Sequence, residues 1–150
     1  MTDEQRSLLE TLWPTYMHIP YLWGGSNPNT GLDCSGLVIE LLQSVGTVPT
    51  MEGPKPWDRT SEALFRHFKE VVPQIDVDFG DLVFFGPTVK TISHVAFCLS
   101  NTLMLEAAGG GQANSRREIA MTPQGKARVR VRPIDNRRDL IGFKRPTYTF

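Results

Sequence analysis

Residues 31–36 read Gly31-Leu-Asp-Cys-Ser-Gly36, and a glycine pair, Gly24-Gly25, stands shortly before them. From Cys34 to about Val45 apolar residues recur at helical spacing, so we expect a helix that begins at the cysteine. Asp33 is placed to cap that helix and Gly46 to end it. The segment therefore predicts a glycine-rich loop that delivers a cysteine to the first turn of a helix.

The rest of the chain is organised around this segment, with helices first and strands after them. The further predictions are a helix over 3–17, a structured loop over 19–32, a loop over 48–59, a helix over 60–71, and strands over 82–85, 92–99, 103–107, 127–133 and 140–144. Thr2 or Asp3 can cap the first helix, and Pro14 inside it favours an early end. Helices followed by strands predict an α+β domain with an antiparallel sheet, formed as a single domain over residues 1–150.

The composition is that of an ordinary globular protein, with 40% hydrophobic and 21% charged residues among 150. There is no run of about 20 apolar residues, so no membrane insertion is expected. The first residues, MTDEQRSLLETLW, are polar where a signal peptide would be basic and then apolar, and we expect a cytoplasmic protein as synthesised. Two cysteines match neither a zinc motif nor a disulfide framework, and no metal or organic cofactor is expected.

Cys34 has the setting that a cysteine nucleophile requires. The thiolate is the reactive form, and the N–H groups at a helix N-terminus stabilise it. The same N–H groups can hold the oxyanion of a tetrahedral intermediate. Position alone equally suits a small buried cysteine. Cys98 lies in the middle of a predicted strand and is expected to be a core residue, not a disulfide partner of Cys34.

A base for this nucleophile is predicted from the strand pattern. Among three histidines, His18 and His67 are expected at the surface or in packing, whereas His94 enters an apolar strand, where it needs a polar partner. Glu106 is the one charge in Leu103-Met-Leu-Glu-Ala-Ala108. A hairpin loop with an odd number of residues would place positions 94 and 106 opposite each other on one face, where Glu106 accepts the His94 Nδ1–H bond. An even loop would separate them.

Ordered motifs in this sequence resemble those of the NlpC-type cell-wall cysteine peptidases. The motifs are Tyr21, Gly24-Gly25, Asp33-Cys34-Ser35-Gly36, Arg59-Thr60-Ser61, Gly80-Asp81-Leu82-Val83-Phe84-Phe85, Ser93-His94-Val95 and Gly142-Phe143-Lys144-Arg145-Pro146. Each is short, but together and in order they cover residues 15–146. The resemblance implies a papain-like α+β fold whose nucleophile helix packs on a small antiparallel sheet.

The resemblance also implies a chemistry and a set of site residues. It implies hydrolysis of amide bonds in peptidoglycan stem peptides, typically between γ-D-glutamyl and a diamino acid. It implies Cys34 as nucleophile, His94 as base, Tyr21 near the oxyanion hole, and Asp33, Ser35 and Arg59 at the substrate cleft. Phage-borne members of the family are often bare catalytic domains, so delivery by a phage is favoured over injection as a toxin or a role in cytosolic recycling.

Two positions depart from the resembling pattern. The third catalytic position is usually histidine or a neutral polar residue, and here it is Glu106, whose carboxylate can hold His94 and stabilise the imidazolium. Ala96 stands where many members have glycine.

A binding module with an idle catalytic site is the alternative. The residues from Gln112 onward include ten basic and three acidic side chains, a net charge of +7. Arg128, Arg130 and Arg132 alternate along one predicted strand and therefore line one face, which could bind an anionic wall polymer or nucleic acid. There are no interleaved aromatic residues, which argues against binding of single-stranded nucleic acid.

Overall fold

A computed structural model describes residues 1–47, 60–108 and 127–148 of the protein. The helices are α1 (Asp3–Leu12), α2 (Cys34–Ser44) and α3 (Ser61–His67). The strands are β1 (Ser26–Asn27), β2 (Gly31–Leu32), β3 (Glu70–Val72), β4 (Leu82–Phe85), β5 (His94–Cys98), β6 (Leu103–Ala108), β7 (Arg128–Pro133) and β8 (Leu140–Arg145). Within these three ranges no helix has the length and apolar character that crossing a membrane requires.

Helix α1 begins at a predicted cap and ends before Pro14. The Thr2 hydroxyl accepts a hydrogen bond from the Gln5 backbone N–H at 3.1 Å, and the Gln5 side chain accepts one from the Thr2 backbone N–H at 2.9 Å. This reciprocal capping box satisfies two backbone donors of the helix start. The α-helix stops at Leu12, and Trp13–Tyr16 continues as a 3-10 turn that contains Pro14. The predicted helix is therefore confirmed, with an early change of geometry at the proline.

Helix α2 matches its prediction at both ends. Asp33 is its N-cap and accepts a hydrogen bond from the Gly36 backbone N–H at 2.6 Å. Gly46 follows the helix with a φ of 72°, a left-handed conformation that glycine adopts without strain. The five residues of the predicted apolar stripe are all buried, namely Leu37, Val38, Leu41, Leu42 and Val45.

The predicted helix over 60–71 is wrong in its second half. The helical hydrogen bonding of α3 ends at its C-cap Phe68, which has an extended conformation, and the next residues form β3. Val71, expected on a buried helical face, is 70% exposed. Pairing of β3 with β8 competes for these residues, and consecutive valines favour a strand over a helix.

Strands β3 to β8 form one sheet in the order β3-β8-β4-β5-β6-β7. All its neighbouring strands are antiparallel, which confirms the predicted α+β class. The five predicted strands are present with boundaries within two residues of the prediction; β5, for example, begins at His94 and not at Ile92. Short β3 was not predicted.

The sheet is apolar on both faces. One face carries Leu82, Phe84, Val95, Phe97 and Leu105, and packs against the buried stripe of α2. The other carries a smaller cluster that includes Val83, Phe85, Ala96, Cys98 and Met104. By alternation His94 belongs with Ala96 and Cys98, and its ring lies 5.7 Å from the Phe85 ring, between centroids.

The loop predicted over 19–32 is more ordered than expected, because it contains the β1–β2 hairpin. Its first residues run along the edge strand β7. The Val129 N–H donates to the Ile19 carbonyl at 2.8 Å, and the Tyr21 N–H donates to the Ala127 carbonyl at 2.9 Å. These bonds fix the loop that leads to Cys34 against the sheet.

Candidate active site

Cys34 is the first residue of α2 and is partly exposed. The carboxylate of Asp33 serves both the helix and the preceding loop: Oδ1 accepts the Gly36 N–H, and Oδ2 accepts the Gly24 N–H at 3.0 Å. Cys34 thus stands at the N-terminus of the helix, where the helix dipole favours a negative charge. The predicted setting of Cys34 is therefore confirmed.

Two glycines allow the loop to lie directly on the helix start. A Cβ atom at Gly36 would overlap the carbonyl oxygen of Gly25, and a Cβ atom at Gly25 would lie 2.5 Å from the carbonyl oxygen of Gly31. The Asp33 N–H donates to the same Gly25 carbonyl at 3.1 Å. The position of Cys34 thus depends on contacts that only glycine permits.

His94 and Glu106 form a buried hydrogen-bonded pair. The distance from His94 Nε2 to Glu106 Oε1 is 2.8 Å, and the two residues are 6% and 1% exposed. The predicted partnership is confirmed, but the predicted atom is wrong, because Nε2 and not Nδ1 bonds to the carboxylate.

An odd number of residues, 99–103, separates the paired positions Cys98 and Met104, so His94 and Glu106 share one face of the hairpin, but they are not directly opposite. The register pairs Phe97 with Leu105 and Cys98 with Met104. Continued along the strands, it places Ala96 opposite Glu106. Glu106 therefore lies on the same face as His94, two residues along β6 from the position directly opposite it. A long side chain can span this diagonal.

Cys34 completes the arrangement on the other side of the ring. Its side chain hydrogen-bonds with His94, and because Glu106 occupies Nε2, Nδ1 is the nitrogen that faces the sulfur. Burial by itself lowers the pKa of His94, but the hydrogen bonds to Cys34 and Glu106 and the negative charges of both raise the pKa to about 9. The imidazole is thus held as an imidazolium at neutral pH, between Cys34 and the Glu106 carboxylate.

The Glu106 carboxylate is ionised despite its burial. Burial by itself raises its pKa, but the hydrogen bond and charge of His94, followed by the charges of Arg132 and Arg137, bring the pKa below the usual value. Sequence reasoning missed these two arginines as neighbours of the site. The alternation of arginines along β7 was the available signal, because β7 pairs with β6 and its even-numbered residues share a face with Glu106.

Tyr21 lies beside the nucleophile, as predicted. Burial and then the negative charges of Cys34 and Asp33 raise the pKa of its phenol. The hydroxyl therefore keeps its proton and remains a hydrogen-bond donor next to Cys34. Its role at an oxyanion stays a prediction.

In the structure, Ser35 and Asp33 stabilise the N-terminus of α2. Ser35 is buried, and its hydroxyl donates to Asp33 Oδ1 at 3.3 Å. Their contact with substrate stays a prediction, and Arg59 lies outside the described residues.

Cys98 is a buried core residue, as predicted, and both cysteines are free. Burial, followed by the charge of Asp81, raises the pKa of its thiol, so this sulfur stays protonated. Within the described ranges no group of three or more His, Cys, Asp or Glu side chains is placed to hold a metal ion.

Comparisons with known proteins point to one family. The model of the NlpC/P60 family matches residues 18–132. Bifunctional muramidase/DL-endopeptidase CwlT of Bacillus subtilis is 39% identical over 95 residues, which are 61% of this chain and 26% of that protein. Peptidoglycan endopeptidase RipB of Mycobacterium tuberculosis is 36% identical over 123 residues, 71% of this chain and 46% of that protein. The crystal structure of the P60 domain of a Mycobacterium avium subspecies paratuberculosis antigen has a TM-score of 0.66 and 26% identity, and the match covers 98% of this chain and 99% of that one.

Fold and site together define the papain-like α+β class, with a cysteine at a helix start facing a histidine on an antiparallel sheet. This chain belongs to the NlpC/P60 family. It spans less than half the length of the two curated relatives named above.

Proposed function

We propose that this chain is a cysteine peptidase that hydrolyses amide bonds in peptidoglycan stem peptides. The observation that carries the proposal is the placement of Cys34 at the start of α2, hydrogen-bonded to a buried His94 that Glu106 holds. The names of the relatives CwlT and RipB, both endopeptidases, support the substrate class.

The first half of the reaction forms a thioester. The Cys34 thiolate attacks the carbonyl carbon, and the electron pair of the C=O bond moves to oxygen. The Cys34 backbone N–H and the Tyr21 hydroxyl donate to this oxyanion. When the intermediate collapses, the C–N bond breaks and the leaving nitrogen takes the proton from His94 Nδ1.

The second half releases the acyl group to water. Neutral His94 takes a proton from a water molecule at Nδ1, and the hydroxide attacks the thioester carbonyl. Collapse of this second tetrahedral intermediate breaks the C–S bond, releases the carboxylic acid product and restores the thiolate beside the imidazolium. Glu106 stabilises the imidazolium in both halves without taking its proton.

We further propose that the bond cleaved joins γ-D-glutamyl to a diamino acid. The DL-endopeptidase in the name of CwlT supports this choice over a bond between two D-residues. Delivery to the wall by a phage stays a prediction.

Digestion of purified muropeptides, with products identified by mass, tests both statements. The wild type should release fragments that end in D-glutamate, and Cys34→Ala should release none. Cys98→Ala should behave as the wild type, because that thiol is fully buried and stays protonated. Fragments cut only between two D-residues would overturn the choice of bond. No fragments from a folded wild type, or full activity of Cys34→Ala, would overturn the peptidase.

The alternative, a binding module with an idle site, is favoured by one observation. Arg128, Arg130 and Arg132 do share one face of β7, through cross-strand pairs with Ala108, Glu106 and Met104. Labelling of Cys34 with iodoacetamide at mildly acidic pH separates the two functions. A thiolate paired with His94 reacts there, whereas an idle cysteine does not.

A further inference from the structure

The two oxygens of the Glu106 carboxylate have different surroundings. Oε1 accepts the hydrogen bond from His94, whereas Oε2 is fully buried and accepts no hydrogen bond from any described residue. A buried carboxylate oxygen without a partner is costly unless a positive charge compensates it. The Nη1 atom of Arg132 lies 3.5 Å from this oxygen.

The strand register explains why Arg132 takes this place. Glu106 is paired with Arg130 across β6 and β7, and Arg132 is paired with Met104. Arg132 therefore approaches Glu106 along a diagonal, as Glu106 approaches His94. Its side chain is 29% exposed, so the guanidinium extends from the protein surface to a carboxylate that is 1% exposed.

The other charges near Glu106 come from two elements besides β5. On β7, Arg130 faces Glu106, and burial followed by repulsion from Arg132 lowers its pKa. After β7, Arg137 adds a positive charge, but both its Nε and Nη2 donate to Asp139, at 3.0 and 2.8 Å. Arg137 is therefore largely neutralised by its own partner.

We propose that Arg132 is a positioning residue that keeps Glu106 ionised beside His94 and so sets the pH range in which the pair of Cys34 and His94 is active. The inference rests on the proposed function of Cys34 as a nucleophile. It gives four groups in a row with alternating charge: Arg132 positive, Glu106 negative, His94 positive, Cys34 negative. Each charge is stabilised by its immediate neighbours, and Arg132 acts directly on Glu106.

The loss of Arg132 should move the pH profile of kcat/KM in one direction. Removal of a positive charge raises the pKa of every acid near it. Deprotonation of Cys34, Glu106 and His94 should therefore all move to higher pH. Arg132→Met should therefore shift the whole bell-shaped pH profile of kcat/KM upward by about one unit. At a fixed pH on the acid side this is a loss of about tenfold. Arg132→Lys should keep the profile of the wild type.

A structural role alone would lower the height of the profile without moving it. Arg138→Met is the matched control, because it removes an exposed positive charge from the same third of the chain. It should leave both limbs of the profile in place. Arg132→Gln provides a second test of the charge, should Arg132→Met fail to fold as judged by circular dichroism.

The rate of iodoacetamide alkylation against pH provides a readout that needs no substrate. Measured in a Cys98→Ala background, it reports Cys34 alone. Arg132→Met should move the acid limb of alkylation upward by about one unit. If the wild type alkylates at acidic pH but cleaves no muropeptide, the proposed substrate fails and the inference on Arg132 stands. If Arg132→Met and Arg132→Gln leave the limb unchanged, or if the wild type shows no thiolate at acidic pH, the inference is overturned.

Discussion

Glu106 reaches His94 diagonally across two strands, from a position two residues along β6 from the one directly opposite His94. The residue directly opposite Glu106, by the register of β5 and β6, is Ala96. Ala96 is fully buried, and its side chain is a single methyl group that stands between His94 and Cys98 on the face shared with Glu106. We therefore expect the contact between His94 and Glu106 to require a small residue at position 96.

Substitution Ala96→Leu tests this dependence. The larger side chain occupies the space over which Glu106 reaches, so we expect kcat/KM to fall at least about tenfold, together with about 1–3 kcal/mol of stability from overpacking. Activity per folded molecule and the urea unfolding midpoint measure the two effects. Ala63→Leu, in α3, should lose stability while it keeps its activity. Equal activity of the two variants would show that Ala96 is not required for the contact.

Glu106→Gln removes the negative charge and keeps the shape. Because Glu106 helps to raise the pKa of His94 to about 9, its neutral replacement lowers that pKa. We expect the basic limb of the pH profile to move to lower pH and kcat/KM at neutral pH to fall about tenfold or more. Glu70→Gln, an exposed carboxyl on β3, serves as the control and should change neither. An unchanged rate for Glu106→Gln would remove Glu106 from the site.

The titration of His94 can be followed directly by NMR of its ring protons. In the wild type the midpoint should lie near 9. In Cys34→Ala the hydrogen bond and the negative charge of the thiolate are gone, while burial still disfavours the charged ring, so the midpoint should fall. An unaltered midpoint would mean that Cys34 and His94 do not form a charged pair.

Asp33 joins the helix cap to the loop, so its loss should affect both stability and activity. Asp33→Ala removes the acceptor for the Gly36 and Gly24 N–H groups, and we expect a loss of about 1 kcal/mol of stability with reduced kcat/KM. Thr2→Ala removes the cap of α1 and should lose similar stability at full activity. If the two variants lose activity equally, capping at α2 has no specific effect on the nucleophile.

Local signals predicted the nucleophile helix and most of the sheet correctly. Three of these signals act within a few residues: the cap at Asp33, the apolar spacing of α2 and the left-handed Gly46. Such signals can be recognised from the sequence alone. The region around Val71 shows where this fails. Its apolar spacing suits a helix, but pairing with β8, more than 70 residues further along the chain, makes it a strand.

By itself the sequence determined the cysteine at a helix start, the histidine on an apolar strand and the presence of a carboxylate on the next strand. These follow from composition and spacing inside single elements. Only the tertiary structure decided that Glu106 meets Nε2 along a diagonal, and that Arg132 approaches its second oxygen. The reason is that register and side-chain reach between strands depend on turns and on packing across the sheet, which spacing within one strand does not encode.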